Sequence, residues 1–293
     1  MIRMGIERRR QRVLAVSIAL LLACLPSWVR AQEVLLQIHP HPGDTLHMRL
    51  DQEMDLGGDV HGMSGGDPSA TMTTTWCVLQ RMVVERADSG GVDVLQVTDS
   101  MAVATSVAHG SPGRGTPGAM PPPGRSSPLD GTAILLHIAP DGAVTVLDST
   151  DRVGRTLRQV VADLPVTFPR QPVRVGSSWV RTMQIPAGAD YGAGQIRLEF
   201  RLDSVTPSLD SAFVSVRGPL GKEHIEAVVG GATVTTRGIL TGTMVVDRRR
   251  GWLTDWHALI SVQSVMHPPK GSDAEAGRMH MTLMQWLRAV DRP

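Results

Sequence analysis

The stretch TLHMRLDQEMDL, residues 45–56, alternates apolar and polar side chains along most of its length. Leu46, Met48, Leu50, Met54 and Leu56 fall on one face of an extended chain, and acidic and basic side chains fall on the other. A period of two residues is typical of a β-strand, and a strand with one polar face belongs to an antiparallel sheet. The stretch therefore predicts a mainly β protein.

The same alternation recurs on both sides of two glycine-containing turns. Residues 71–86 and 91–106 flank Asp88-Ser89-Gly90-Gly91, and residues 133–138 and 143–148 flank Pro140-Asp141-Gly142, which are sequences typical of hairpin turns. Further candidate strands cover 178–185, 195–205, 211–217, 223–229, 232–247, 252–266 and 278–290. We predict a large antiparallel curved sheet, or an open barrel or sandwich.

One segment has helical rather than strand periodicity. Between residues 150 and 164, Val153, Leu157, Val160, Val161 and Leu164 share one side of a helix. Polar residues that favour helix caps precede the segment, and a proline follows it. The sequence predicts one short helix at about 150–164.

Three turn-and-strand units recur in the same order, which indicates a duplication. Pro42 to Leu46 corresponds to Val175 to Trp179, and a later hairpin at 81–94 corresponds to 201–214. The turn Asp141-Gly142 corresponds to Arg250-Gly251-Trp252. We predict a single β-rich domain at 32–293, with module 1 at about 42–148 and module 2 at about 173–290. A flexible Gly/Pro-rich insertion at 109–130 interrupts module 1.

The first thirty-one residues have the pattern of an export signal. Five arginines between Arg3 and Arg12 precede an uncharged apolar run from Val13 to Leu25, and a small-residue cleavage pattern places the mature start at Gln32. The run is shorter than the roughly 20 residues that a membrane-spanning helix needs. An alternative is a lipoprotein signal, in which Leu21-Leu22-Ala23-Cys24 leaves an acylated Cys24. Either signal predicts an exported protein, periplasmic or extracellular, or anchored through Cys24.

Charge and cysteine content change when this signal is removed. The remaining 262 residues carry 23 basic and 27 acidic side chains, a net charge of −4, and few aromatics. Nucleic-acid binding needs a basic surface and stacking platforms, so we exclude nucleic acid as a partner. The mature chain keeps only Cys77, which cannot form an intramolecular disulfide and which we interpret as a small side chain on a strand face.

The turns and strands together resemble a known pattern. The order of Pro42 to Thr45, Pro140 to Gly142, the helix at 150–164, Val175 to Trp179 and Arg250 to Trp252 is similar to that of an uncharacterised family of bacterial exported β-rich proteins. These elements are structural turns, and the family has no assigned activity. The resemblance therefore implies an architecture and an exported location, and it implies no chemistry.

Two short motifs match catalytic patterns, but their contexts do not. Gly62 to Gly66 fits the G-x-S-x-G nucleophile turn, although Asp67-Pro68 and a threonine-rich strand follow where a helix is required. Gly113 to Gly118 fits G-x-G-x-x-G within a proline-rich insertion that has no strand-turn-helix unit. We predict no catalytic residue and no cofactor.

Histidine and methionine recur in pairs that suit copper. His39 and His41 are two residues apart, as are Met279 and Met281, and residues two apart in a strand share a face. Met279 and Met281 also continue an alternation through Leu283 that is typical of a core, with His280 on the opposite face. His39 and His41 fit an extended, exposed leader. We predict no metal site and keep these four residues as the candidates.

Two functional hypotheses remain. The first is a non-catalytic binding or envelope-associated module with an apolar pocket for a lipid or acyl chain, similar in architecture to periplasmic lipoprotein carriers. The alternative is an enzyme with a site that no linear motif reveals, or a periplasmic copper-handling protein. A cavity lined by Leu, Met and Trp without ionisable groups favours the first, and a pocket that gathers carboxylates or histidines favours an enzyme.

Overall fold

The structure, a computed structural model, describes residues 33–59, 71–108, 131–149, 168–185, 194–229, 232–269, 271–272 and 275–291. Several predictions of the sequence analysis fall outside these ranges. They are the export signal with Cys24, the motifs at 62–66 and 113–118, the insertion at 109–130 and the helix at 150–164. The described residues from Val34 onward form one compact unit.

The described residues form one antiparallel sheet of eleven strands. The strands are β1 (Thr45–Asp59), β2 (Thr71–Asp88), β3 (Gly91–Ala108), β4 (Ala133–Ile138), β5 (Val144–Ser149), β6 (Ser178–Ile185), β7 (Gly194–Val205), β8 (Ser211–Val229), β9 (Ala232–Asp247), β10 (Trp252–His267) and β11 (Gly277–Val290). Their order is β5-β4-β3-β2-β1-β11-β10-β9-β8-β7-β6, so β5 and β6 are the two edges and the sheet does not close on itself. The predicted mainly β, antiparallel fold is confirmed, in its open form.

Two meanders make up the sheet, and one long strand pair joins them. Strands β1 to β5 each pair with the next strand in sequence, as do β6 to β11. Between the meanders, β1 pairs with β11 from His47↔Val290 to Asp59↔Arg278. The first and last strands of the described chain therefore lie side by side at the centre of the sheet.

The turns that begin β1 and β6 have the same geometry. Gly43 and Gly176 both have a φ of 88°. The Gly43 N–H donates to the Val84 carbonyl at 2.8 Å, and the Gly176 N–H donates to the Leu202 carbonyl at 2.7 Å. In each turn the carbonyl of the next residue accepts a hydrogen bond back from the N–H of that same partner. The similarity seen in the sequence thus extends to backbone conformation and pairing, while the module boundaries stay a prediction.

One pair of predicted strands is wrong in its division. Residues 211–217 and 223–229 belong to the single strand β8, with a register shift against β9 between Leu220 and Ile225. Pro219 suggested a break because proline lacks an N–H for the ladder. Pairing between β7 and β8 has already ended at Arg217, so this proline lies where only β9 continues alongside.

A leader segment that we call the strap, residues 33–41, packs on the inner face of the sheet. Val34, Leu36 and Ile38 are buried, while His39 and His41 are exposed. Val34 forms a bridge with Val173, the Ile38 N–H donates to the Pro140 carbonyl and the His39 N–H donates to the Gly251 carbonyl. The predicted exposed leader is therefore wrong for alternate residues, because the strap supplies part of the core.

Candidate functional site

The inner face of the sheet encloses a cavity of about 340 Å³ next to the strap. Seven strands contribute to it because alternate residues of β1 to β5, β10 and β11 point to the same face. Its lining is Ile38, Met48, Leu50, Gln52, Trp76, Val78, Gln80, Met82, Gln96, Thr98, Met101, Leu136, Ile138, Gly142, Val144, Trp252, Leu253, Trp256, Gln285 and Leu287. The volume falls in the range of small-molecule sites, about 300–1,000 Å³.

Strand register sets which side chains meet in the cavity. Leu50 of β1 lies directly opposite Val78 of β2 and Leu287 of β11. One step further along β1, Gln52 lies opposite Trp76 and Gln285. Side chains opposite one another in neighbouring antiparallel strands have Cβ atoms about 4.5–5.5 Å apart. The register therefore places an apolar row beside a polar row on one wall.

The indole groups divide between this cavity, the core and the outer surface. Trp76, Trp252 and Trp256 line the cavity, as the sequence analysis allowed for some tryptophans. Trp179 is buried in the other half of the sheet and stacks on Phe200 at 5.7 Å between ring centroids. Trp286 points to the outer face, where its ring stacks on His257.

Glutamine side chains supply most of the polar atoms of the lining. The Gln96 Nε2 donates to the Gln80 Oε1 at 2.7 Å, and the Trp256 Nε1 donates to the Gln285 Oε1 at 3.1 Å. No hydrogen bond joins the Gln52 side chain to another residue that the structure describes. The sequence analysis missed these glutamines, although each occupies a position where its strand alternation calls for an apolar residue.

The described lining holds no ionisable side chain, because the charges of these strands point to the opposite face. There, Arg49 donates to both oxygens of Asp51, and Arg288 donates to Asp51 from β11 at 3.3 Å. Burial opposes the ionisation of Asp51, but hydrogen bonds from Arg49 and Cys77 keep its pKa below the ordinary value. The sheet separates this charge cluster from the cavity.

Cys77 belongs to the outer cluster. It lies opposite Asp51 in the register of β1 and β2 and is half-buried. Burial raises the pKa of its thiol, and a hydrogen bond to the Asp51 carboxylate raises it further. A thiol with a raised pKa is a poor nucleophile at neutral pH, in agreement with its interpretation as a residue of the strand face.

The structure does not bring the four copper candidates together. His39 bonds to Gly251 immediately before β10, whereas Met279 and Met281 pair with Ser264 and Val262 in the far half of that strand. At about 3.3 Å per residue along a strand, the two pairs are more than about 30 Å apart. As predicted, Met279 and Met281 share the inner face with Leu283, and His280 lies on the outer face against Gly57.

Two searches of the described residues were negative. They contain no group of three or more His, Cys, Asp or Glu side chains placed to hold a metal ion. Within the same residues, we find no helix with the length and apolar character needed to cross a membrane.

Comparisons with known proteins give no family for the chain. No protein-family model and no curated protein matches it. Among solved structures, it is similar to lipovitellin, in a structure on lipid–protein interactions, with a TM-score of 0.47 and 10% identity over 86% of this chain and 26% of that chain. It is also similar to an outer membrane channel from Pseudomonas putida F1, with a TM-score of 0.21 and 9% identity over 88% and 97% of the two chains. Both likenesses are too low to bear on function.

Proposed function

We propose that the protein is a non-catalytic binding protein of the bacterial envelope and that its cavity holds the acyl chain of a lipid. The observation that supports the proposal is the lining, in which the described side chains are aliphatic, sulfur-containing, indole or neutral polar groups. Water in such a cavity has few hydrogen-bond partners. An acyl chain that replaces it gains about 0.8 kcal/mol for each CH₂ group removed from solvent.

The inner face offers such a chain more length than the cavity alone. Beyond Gln52, the same face of β1 continues with Met54 and Leu56, which lie opposite Leu283 and Met281 of β11. These side chains are only partly buried. An apolar ligand that extends from the cavity along this track would cover surface that otherwise contacts water, and an extended acyl chain has the matching shape.

A binding role fits the lining better than catalysis does. A hydrolytic or transfer site needs a nucleophile or an acid–base group within hydrogen-bond reach of the reacting atom. The described lining supplies amides, a threonine hydroxyl and indole groups. The envelope location rests on the export signal in the sequence, and it makes a lipid the ligand that such a protein would meet.

A cavity-filling substitution tests the proposal. We expect Val78→Trp, which adds an indole ring inside the cavity, to weaken binding of the apolar fluorophore N-phenyl-1-naphthylamine at least tenfold. The matched control is Leu79→Trp, because Leu79 is the next residue of β2 and points to the outer face. We expect the control to bind the fluorophore like the unaltered protein.

Circular dichroism must show that both variants keep the β-sheet signal. If the unaltered protein fails to bind the fluorophore, or if the two variants bind it equally well, the proposed acyl site is wrong. Native mass spectrometry of protein purified from the envelope gives a second readout, and we expect an adduct with the mass of a lipid.

A further inference from the structure

We infer that the cavity selects lipids whose acyl chain is joined through an uncharged carbonyl, as in an ester or an amide, over lipids that present an ionised carboxylate. The inference rests on the proposed function, since it names the chemical class of the ligand in the same cavity. The observation that carries it is the arrangement of glutamine amides on the inner face.

Three of these amides face the cavity from neighbouring strands. Gln52 lies on β1 directly opposite Gln285 of β11, and Gln80 lies on β2. An amide group has one carbonyl oxygen and two N–H donors to satisfy. The oxygens of Gln80 and Gln285 already accept hydrogen bonds from Gln96 and Trp256. What these two side chains have left is donor capacity.

Gln52 adds a polar group that no other described residue satisfies. Its side chain lines the cavity between Trp76 and Gln285, yet it has no hydrogen bond to a described partner. A half-buried amide without a partner loses free energy relative to one that is hydrogen-bonded. The ligand group that satisfies neighbouring N–H donors on an otherwise apolar wall is a hydrogen-bond acceptor, and the carbonyl of an acyl ester or amide is one.

The charge distribution decides between a neutral and an ionised acceptor. A carboxylate also accepts hydrogen bonds, but burying it without a cationic partner is costly. The nearest arginines on these strands, Arg49 and Arg288, lie on the outer face and are engaged by Asp51. A fatty-acid anion in the cavity would therefore leave water without gaining a counter-charge, whereas an ester would not.

Matched C12 ligands test the inference. At pH 8 we expect methyl dodecanoate to displace N-phenyl-1-naphthylamine at a concentration at least tenfold lower than dodecanoate, which has the same chain with an ionised end. The Gln52→Leu variant should keep its affinity for the fluorophore and lose at least threefold in affinity for the ester. Gln263→Leu, an identical change at an exposed residue of β10 that contacts Arg237, is the control and should change neither affinity.

The outcomes separate the inference from the proposed function. If dodecanoate binds as tightly as the ester, or if Gln52→Leu leaves ester binding unchanged while the fluorophore still binds, the selection for a neutral carbonyl is overturned and the apolar site survives. If the unaltered protein binds neither the fluorophore nor the C12 ligands, both are overturned.

Discussion

Gly251 has two reasons to be glycine, and each lies in a different part of the chain. Its φ is 60°, a left-handed conformation that glycine adopts without a steric cost. A Cβ at this position would also lie 2.6 Å from the His39 Nδ1 and 2.7 Å from the His39 carbonyl carbon. The Gly251 carbonyl accepts the hydrogen bond of the His39 N–H as well. The turn before Trp252 is thus shaped by the strap that rests on it.

Replacing Gly251 by alanine tests this dual role. The left-handed conformation alone costs a residue with a Cβ about 1–2 kcal/mol, and displacing the strap adds about 1–3 kcal/mol. We therefore expect Gly251→Ala to lower the free energy of unfolding by about 2–5 kcal/mol in urea titrations followed by tryptophan fluorescence.

Gly43→Ala is the matched control for that measurement. Gly43 has a φ of 88°, but a Cβ there would have no atom within 4 Å. Only the conformational cost applies, about 1–2 kcal/mol. Equal losses in the two variants would show that the contact between Gly251 and the strap contributes nothing to stability.

At the scale of elements, the strap differs most from the sequence analysis. The strands were predictable because their alternation extends over many residues and identifies the buried face without knowledge of the partner strand. The strap also alternates, through Val34, Leu36 and Ile38, but its run is short and prolines follow it. Its partners, Val173, Pro140 and Gly251, are distant in sequence, so no local pattern could reveal that it is buried.

The cavity illustrates the same limit. Its apolar lining follows from the alternation, and a pocket of Leu, Met and Trp was one of the two predicted outcomes. The polar row did not follow, since Gln52 and Gln285 become neighbours only through the pairing of β1 with β11. A glutamine in place of an apolar residue is visible in one strand, but its meaning depends on which strand lies alongside.

The strap makes a prediction of its own. Leu36 is 1% exposed, whereas the adjacent Leu35 is 38% exposed. We expect Leu36→Ala to lower the free energy of unfolding by about 2–5 kcal/mol and Leu35→Ala to change it by less than about 0.5 kcal/mol. Chemical denaturation of both variants provides the measurement. A strap that only lay on the surface would give similar small values for both.

For the whole molecule, the arrangement of the core predicts a single cooperative unit. Buried side chains of the strap, such as Leu36, belong to the same core cluster as Val94 of the first meander and Leu202 of the second. The β1–β11 pair adds a continuous ladder between the meanders. Two modules joined in this way have no boundary at which one can unfold alone.

We therefore expect one unfolding transition, in which the far-ultraviolet circular dichroism and the tryptophan fluorescence change at the same urea concentration. The tryptophans report on both halves, because Trp76 lies in the first meander and Trp179 in the second. Two separate transitions, or a fluorescence change that precedes the loss of β structure, would contradict the single-domain prediction.

The central strand pair also has a consequence for the birth of the protein. His47 is among the earliest residues of the sheet to leave the ribosome, yet its partner in β11 is Val290, which is 243 positions later (290 − 47). Contacts between such distant residues form slowly, because a long loop must close first. Until β11 arrives, one edge of β1 stays unpaired, and unpaired edges invite aggregation. The nascent chain thus has reason to depend on a chaperone until its last strand is complete.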